Sequence, residues 1–249
     1  MESFRRSFDR VYGMKPDMLQ LGFLKVLKGT KIRRDAGKHG YRYRNYPPYE
    51  ILYNSYIGFD EILELKGMED LVGRYYNSGR FVKTLDYLTN RYFGSAFDFF
   101  RAFNRFSLET GRKGTPAALK ELYGALYCFA ASFADGEGLS AANEFMKLDF
   151  LASDSSGCLP PVLIRDLPDG FRDICFGFLK DRRNIERYLP EFTGLPAKEI
   201  YKKVHFEPFS IDITQTGYIA FSEKPLVLLF DYSSRDRVSG LFHYDLIYI

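Results

Sequence analysis

The stretch "LQLGFLKVLKGT", Leu19 to Thr30, reads as a strand, the strand's end, and the entry to a helix. Leu19, Leu21 and Phe23 fall on one face, and Gln20, Gly22 and Leu24 on the other. Both faces are largely without charge, which suits a strand covered on both sides, as in a parallel sheet. Such a strand needs neighbours of its own kind.

Before it, in "SFRRSFDRVYGM", Phe4, Phe8 and Val11 (with Tyr12) recur at helical spacing. After it comes "KIRRDAGKHG", a second helical candidate. Helix, buried strand, helix is half of an alternating β/α pattern. No further strand of that kind precedes a long helical tract, so the parallel partners are expected outside this chain.

From about Pro47 to Gly194 the pattern is helical. "FDEILELKGMEDLVGRYY" sets Ile62, Leu65, Met68, Leu71 or Val72, and Tyr75 on one stripe, with Asp60 as N-cap. Ser95 and Asp98 have capping-box-like spacing ahead of the stripe Phe93, Phe97, Phe100, Phe103 and Phe106. Thr115 with Pro116 opens the next helix, Ser140 caps another, and a last one runs from about Gly170 to Tyr188. Near Val204 the period changes to two. "HFEPFSIDI", "YIAFSE", "PLVLLFDYS" and "LFHYDLIYI" are separated by "TQTG", Lys224-Pro225 and "SSRDRVSG", which predicts an antiparallel meander. The fold expected is therefore α+β, predominantly helical: one N-terminal β/α remnant of a parallel barrel, a helical middle, and a small antiparallel sheet at about 204–249.

Composition narrows the function classes. Residues 1–50 hold 12 Lys+Arg against 5 Asp+Glu, and the remainder 23 against 27. A basic front end suits phosphate or carboxylate groups, with solvated surface charge as the plainer reading. The overall net charge of +3 and the lack of any ribonucleoprotein or zinc-finger pattern argue against nucleic acid. The run Leu122 to Ala134 is too short to span a bilayer. The opening residues lack the apolar core of a secretory signal, so the expected compartment is the cytoplasm.

Cys128, Cys158 and Cys175 are widely spaced and form no CxxC pair, which speaks against a zinc ribbon or a disulfide framework. Gly136, Gly138 and Ala141 spell GxGxxA, but helical text precedes them where a dinucleotide fingerprint requires a strand. Gly136 reads instead as a helix stop. His205 and His243 fall in the β region, where a shared face would still leave a metal short of ligands. In "RYYNSGRF", Asn77, Ser78 and Gly79 read as a helix end, and Tyr75 and Tyr76 as weak candidates for a substrate pocket. Lys25, Lys28, Gly29 and Thr30 lie where the strand ends and a helix begins, a place that favours anions.

The stretch "SFRRSFDRVYGMKPDMLQLGFLKVLKGTKI" resembles the last part of the barrel in radical S-adenosylmethionine (SAM) proteins, where a late strand runs into a Leu-x-Pro-Gly-Thr-like turn. The continuation "YRYRNYPPYEIL…FDEILELKGMEDLVGRYYNSGRF" is similar to the uncharacterised C-terminal domain that follows the barrel in cobalamin-binding members. These are relatives of magnesium-protoporphyrin IX monomethyl ester cyclase from anaerobic microbes. The likeness is strong from Ser3 to about Phe106 and looser beyond; the late segment "VLLFDYSSRDR" also fits. It implies a division into 1–46, the end of a barrel, and 47–249, the helical domain with its sheet.

The family's CxxxCxxC motif and cobalamin domain are not in this sequence. The resemblance therefore implies a C-terminal fragment that closes the barrel and shapes the substrate pocket without being catalytic by itself. The alternative is a stand-alone, non-catalytic helical binding module. On the first reading Gln20, Lys25, Lys28 and Thr30 lie near SAM or substrate. No cofactor is expected in this chain; SAM, an iron-sulfur cluster and cobalamin belong to the full-length protein. The expected partners are the upstream barrel and cobalamin domain, or a second copy through residues 1–46. Met1 then marks a shortened product, a split gene or a misplaced start.

Overall fold

The computed structural model describes residues 1–111, 117–213 and 221–249, with the side chains of 221–224 left aside. In chain order the elements are α1 (Glu2–Gly13), α2 (Lys31–Arg34), β1 (Arg42–Tyr43), β2 (Ile51–Tyr53), α3 (Phe59–Leu71), α4 (Val82–Leu88), α5 (Ala96–Glu109) and α6 (Leu119–Ala131). There follow α7 (Gly136–Ser153), α8 (Phe171–Lys180), α9 (Arg182–Tyr188), α10 (Ala197–Ile200), β3 (Val204–Ile211), β4 (Phe221–Arg235) and β5 (Phe242–Ile247). The architecture is α+β and predominantly helical. The chain forms two compact units, Met1–Gly79 with Thr89–Pro116, and Arg80–Leu88 with Ala117–Ile249.

In the first unit α1, α3 and α5 build an aromatic core. The expected stripe on α3 is buried at Ile62, Leu65, Met68 and Leu71, and continues through Val72 and Tyr75 on a π-helical turn, Val72–Tyr76. Phe97, Phe100 and Phe103 of α5 are fully buried, and so is Phe99. Phe8 of α1 meets Phe97 and Phe100 edge-on, at 5.9 and 6.1 Å between centroids. Tyr12, rather than Val11, continues the inner face of α1. Ser95 caps α5 as expected, accepting from Asp98 N. Asp9 of α1 adds a second cap, accepting from Ser95 Oγ and Phe97 N. The N-cap of α3 is Gly58 and not Asp60: Glu61 accepts from Gly58 N, so the carboxylate that closes the turn lies one residue later.

Gly67 sets how closely α3 approaches α5. A Cβ there would stand 2.0 Å from Oδ1 of the buried Asn104. Gly67→Ala is expected to cost about 1–3 kcal/mol through overpacking. A thermal-unfolding midpoint equal to or above that of the parent chain would contradict it.

The segment Leu19–Leu27 forms no regular strand. It is extended, and a single bridge pairs Lys25 with Glu50 in antiparallel sense. Val26 N donates to Tyr49 O and Ile51 N to Leu24 O, so its neighbour is the β1–β2 hairpin of the same unit. At Leu19 the side chain of Asn77 accepts from the backbone N–H and donates to the carbonyl. Leu19, Leu21 and Val26 are buried. These three are thus covered without a parallel sheet, Phe23 and Leu24 are half-buried, and Leu27 is exposed.

The second unit is layered. β3, β4 and β5 form an antiparallel sheet in the order β3-β4-β5. One face, with Val204, Phe206, Val227, Leu229 and Ile247, packs on apolar residues of α8, α9 and α10. The other face receives α7, buried from Ala141 to Ser153 and flanked by α4 and α6. Covering on both sides explains why β3 shows little alternation between inside and outside.

Three boundaries differ from expectation. Asp135 caps α7 through Gly138 N, so Gly136 begins that helix and Ser140 lies inside it. Asp181 leaves the helical region and caps α9, splitting the last long helix in two. Lys224-Pro225 does not interrupt β4. Pro225 lies beyond the last β5 pair, Val227 with Ile247, and at the register break opposite Ser210, where a missing N–H is tolerated. The helix that follows α5 is α6, whose first turn is closed by Glu121 accepting from Ala118 N. Thr115, Pro116 and "TQTG" lie outside the described residues.

Candidate functional site

The sequence-predicted residues separate into two groups. Lys25, Lys28 and Thr30 gather beside the β1–β2 hairpin. Gln20 is exposed earlier on the same extended segment. Gly29 turns the chain at φ +81. Thr30 caps α2, donating to Leu27 O and accepting from Arg33 N. The helix so capped has only four residues, so the expected helix-entry anion site reduces to one turn in which Thr30 already takes the amide of Arg33.

What surrounds these residues is aromatic and basic. Tyr49 N donates to Tyr46 O across the cis Pro47-Pro48 bond, and Tyr49 itself is left-handed at φ +58. Its ring lies 5.8 Å from Lys28 Nζ and 5.5 Å from the Arg33 guanidinium, which also stands 5.2 Å from the Tyr43 ring. Arg33 Nη1 donates to Val26 O at 3.4 Å. Arg33 was not singled out from sequence. The clue was the alternation of cations and tyrosines between Lys28 and Tyr49.

Tyr75 and Tyr76 are placed elsewhere in the unit. Tyr75 is buried edge-on to Phe103, 4.9 Å between centroids. Tyr76 donates to Pro16 O at 2.6 Å and packs on Tyr12. Gly79 ends the turn at φ +67, whereas Asn77 keeps a right-handed helical conformation and uses its amide on Leu19.

The second unit holds a buried charge cluster that the sequence reading missed. Lys147 of α7 lies 3.1 Å from Glu144 and 3.5 Å from Glu207 of β3, and donates to Pro208 O. Arg165 reaches Glu207 at 2.8 Å, and His205 Nε2 meets Glu207 Oε2 at 2.9 Å. Glu144 also accepts from Ser210 N. Burial pushes the Glu207 carboxyl up, but the His205 hydrogen bond and the charges of Lys147 and Arg165 outweigh it, so the group lies below its ordinary value. Each charge has an opposite partner, which is the arrangement of a structural network. The available signal was Glu144 and Lys147, one turn apart in an otherwise apolar helix.

Asp149, also on α7, accepts from Lys83 N, Thr84 N and Thr84 Oγ1 and so caps α4 from outside. Burial pushes its carboxyl up to about 7 despite these donors. His243 pairs with Asp231 and His205 with Phe230, on opposite faces of the sheet, so the two histidines do not converge. The three cysteines are free: Cys128 half-buried, Cys158 exposed, Cys175 buried with its thiol pushed up to about 12 by burial. Among the described residues no group of three or more His, Cys, Asp or Glu is placed to hold a metal ion. None of their helices is long and apolar enough to cross a membrane.

A family model described as "Protein of unknown function (DUF4080)" matches residues 37–230, most of the chain. No curated protein and no solved structure matches it. The match covers the hairpin, α3 to α10 and the sheet as far as Phe230 in β4, and leaves out α1 and α2. The chain belongs to the DUF4080 family, a family of unknown function.

Proposed function

We propose that this chain is the C-terminal part of a cobalamin-dependent radical SAM enzyme, a non-catalytic module that closes the barrel and shapes the substrate pocket in the cytoplasm. The observation that carries the reading is the position of the family match. It begins at residue 37, just after the barrel-like stretch that ends in the "LKVLKGT" turn. A domain of unknown function taking up at that point is the order the resemblance implies. Gln20, Lys25 and Lys28 are exposed, which leaves them open to an upstream neighbour. In the full-length protein they lie with Thr30 near SAM or substrate.

A specific observation favours the rival, a stand-alone binding module. Leu19, Leu21 and Val26 are already buried in the first unit and expose no bare strand face. The DNA upstream of the first codon separates the two. An in-frame CxxxCxxC supports the fragment; a promoter and ribosome site directly before Met1 supports the module. Both readings expect this chain to assemble no iron-sulfur cluster, because one needs about three or four converging thiolates. After anaerobic reconstitution with iron and sulfide, metal analysis should show no stoichiometric iron. A stoichiometric content with a visible charge-transfer band would overturn both.

A further inference from the structure

The half-buried arginines of the first unit divide sharply. Arg5 holds Asp98 at 2.6 Å, Arg74 holds Asp70 at 3.0 Å and Arg101 holds Glu64 at 2.9 Å. Arg33 is half-buried too and, among the described residues, has no carboxylate within ion-pair distance. Asp35, two residues on, pairs with Lys38 at 3.1 Å, and Glu50, next to Tyr49, pairs with Lys66. A partly desolvated guanidinium normally finds a counter-charge. Arg33 instead has two tyrosine rings and one long hydrogen bond to Val26 O. Among the described residues most of its five N–H donors are therefore uncommitted, while the two rings flank the guanidinium.

Lys28 shares the Tyr49 ring with Arg33 and, among the described residues, is likewise without a carboxylate within ion-pair distance. Lys25, Lys31 and Arg34 lie close along the chain and are exposed. We infer that this face is a binding site for a phosphoryl group of a small ligand, with Arg33 as the forked donor and Lys28 as the second cation. A multiply charged phosphate fits better than a carboxylate, because at least two cations lack a counter-charge and the guanidinium offers paired donors. The left-handed Tyr49 holds the ring on which both cations rest. The inference names a ligand chemistry for the face discussed above, but its probe is added to this chain by itself. The upstream reading frame decides one and the titration the other, so their failures are distinguishable.

The test is calorimetric titration of the 249-residue chain with inorganic tripolyphosphate, repeated on Lys28→Ala, Arg33→Lys and a control, Arg182→Ala in α9. One saturable site is expected, weakened about tenfold or more by Arg33→Lys, which keeps the charge and loses the fork. Lys28→Ala should weaken it several-fold, and the control should leave it unchanged. Should Arg33→Lys fail to fold by circular dichroism, the exposed Lys28→Ala decides. No saturable binding, or equal losses in the control, overturns the inference. A parallel titration with adenosine triphosphate tells a free phosphate from a nucleotide: equal affinity means that only phosphate is read, and tighter binding adds a base contact. Affinity that appears only for long single-stranded oligonucleotides, and grows with their length, also overturns it.

Discussion

Lys147→Met should remove about 3–5 kcal/mol of stability although the replacement keeps nearly the same shape. The side chain is 2% exposed, and its ammonium stands between Glu144 and Glu207, with Pro208 O as a third partner. Methionine keeps a similar apolar stem but removes the charge, the donor to Pro208 O and the ammonium's contact with the Phe209 ring at 4.8 Å. Glu207 would then keep Arg165 and His205 but lose the buried cation that balances it from α7. Chemical denaturation near neutral pH reads the loss directly.

The pH dependence gives a second signature. In the parent chain the Glu207 carboxyl lies below its ordinary value, so its contribution is present above its unfolded pKa and fades as pH falls through the folded one. The difference between parent and Lys147→Met should therefore be largest at neutral pH and shrink in acid. A difference below about 1 kcal/mol at pH 7 would show that the cluster is relaxed by water and is not a tight network.

Asp149→Ala should cost on the order of 2–4 kcal/mol, because it strips the acceptor from two amides and a buried hydroxyl at the start of α4. The conservative Asp149→Asn keeps an acceptor and removes the charge. Here the sign is opposite to that at Glu207. Burial raises the Asp149 carboxyl from its ordinary value to about 7, so its contribution is fully present below the unfolded pKa near 4 and is lost as pH rises through 7. Relative to Asp149→Asn, the parent chain should lose stability between pH 4 and 7. Parallel curves over that range would show that the carboxyl titrates normally.

The stripes were legible because each is a local property. Ile62, Leu65 and Met68, or Phe97, Phe100 and Phe103, declare a buried face by spacing alone. The antiparallel meander was legible from the change of period near Val204. Leu19–Leu27 was misread as a regular strand for a physical reason: two uncharged faces say that a segment is covered, not by what. Its cover is a hairpin and the side chain of Asn77, 58 residues away, which no local pattern announces. The sheet that is covered on both faces lies at the other end of the chain. Arg33 and the Glu207 cluster were hidden similarly. A cation in a basic stretch looks solvated until rings close on it, and a Lys147 on α7 looks exposed until a strand 60 residues later supplies the acid.

The chain passes between the two units three times, at residues 79–80, 88–89 and 116–117. The short visit Arg80–Leu88 carries α4, the helix on which Asp149 depends. Neither unit is one continuous stretch of gene. A recombination break between residues 89 and 117 would hand one descendant a sheet and α7 without the helix that α7 caps, leaving the Asp149 carboxylate without its donors. Evolution can therefore append material at the ends of this chain far more easily than it can trade one half for another. The two units are expected to travel through a lineage as a single heritable piece.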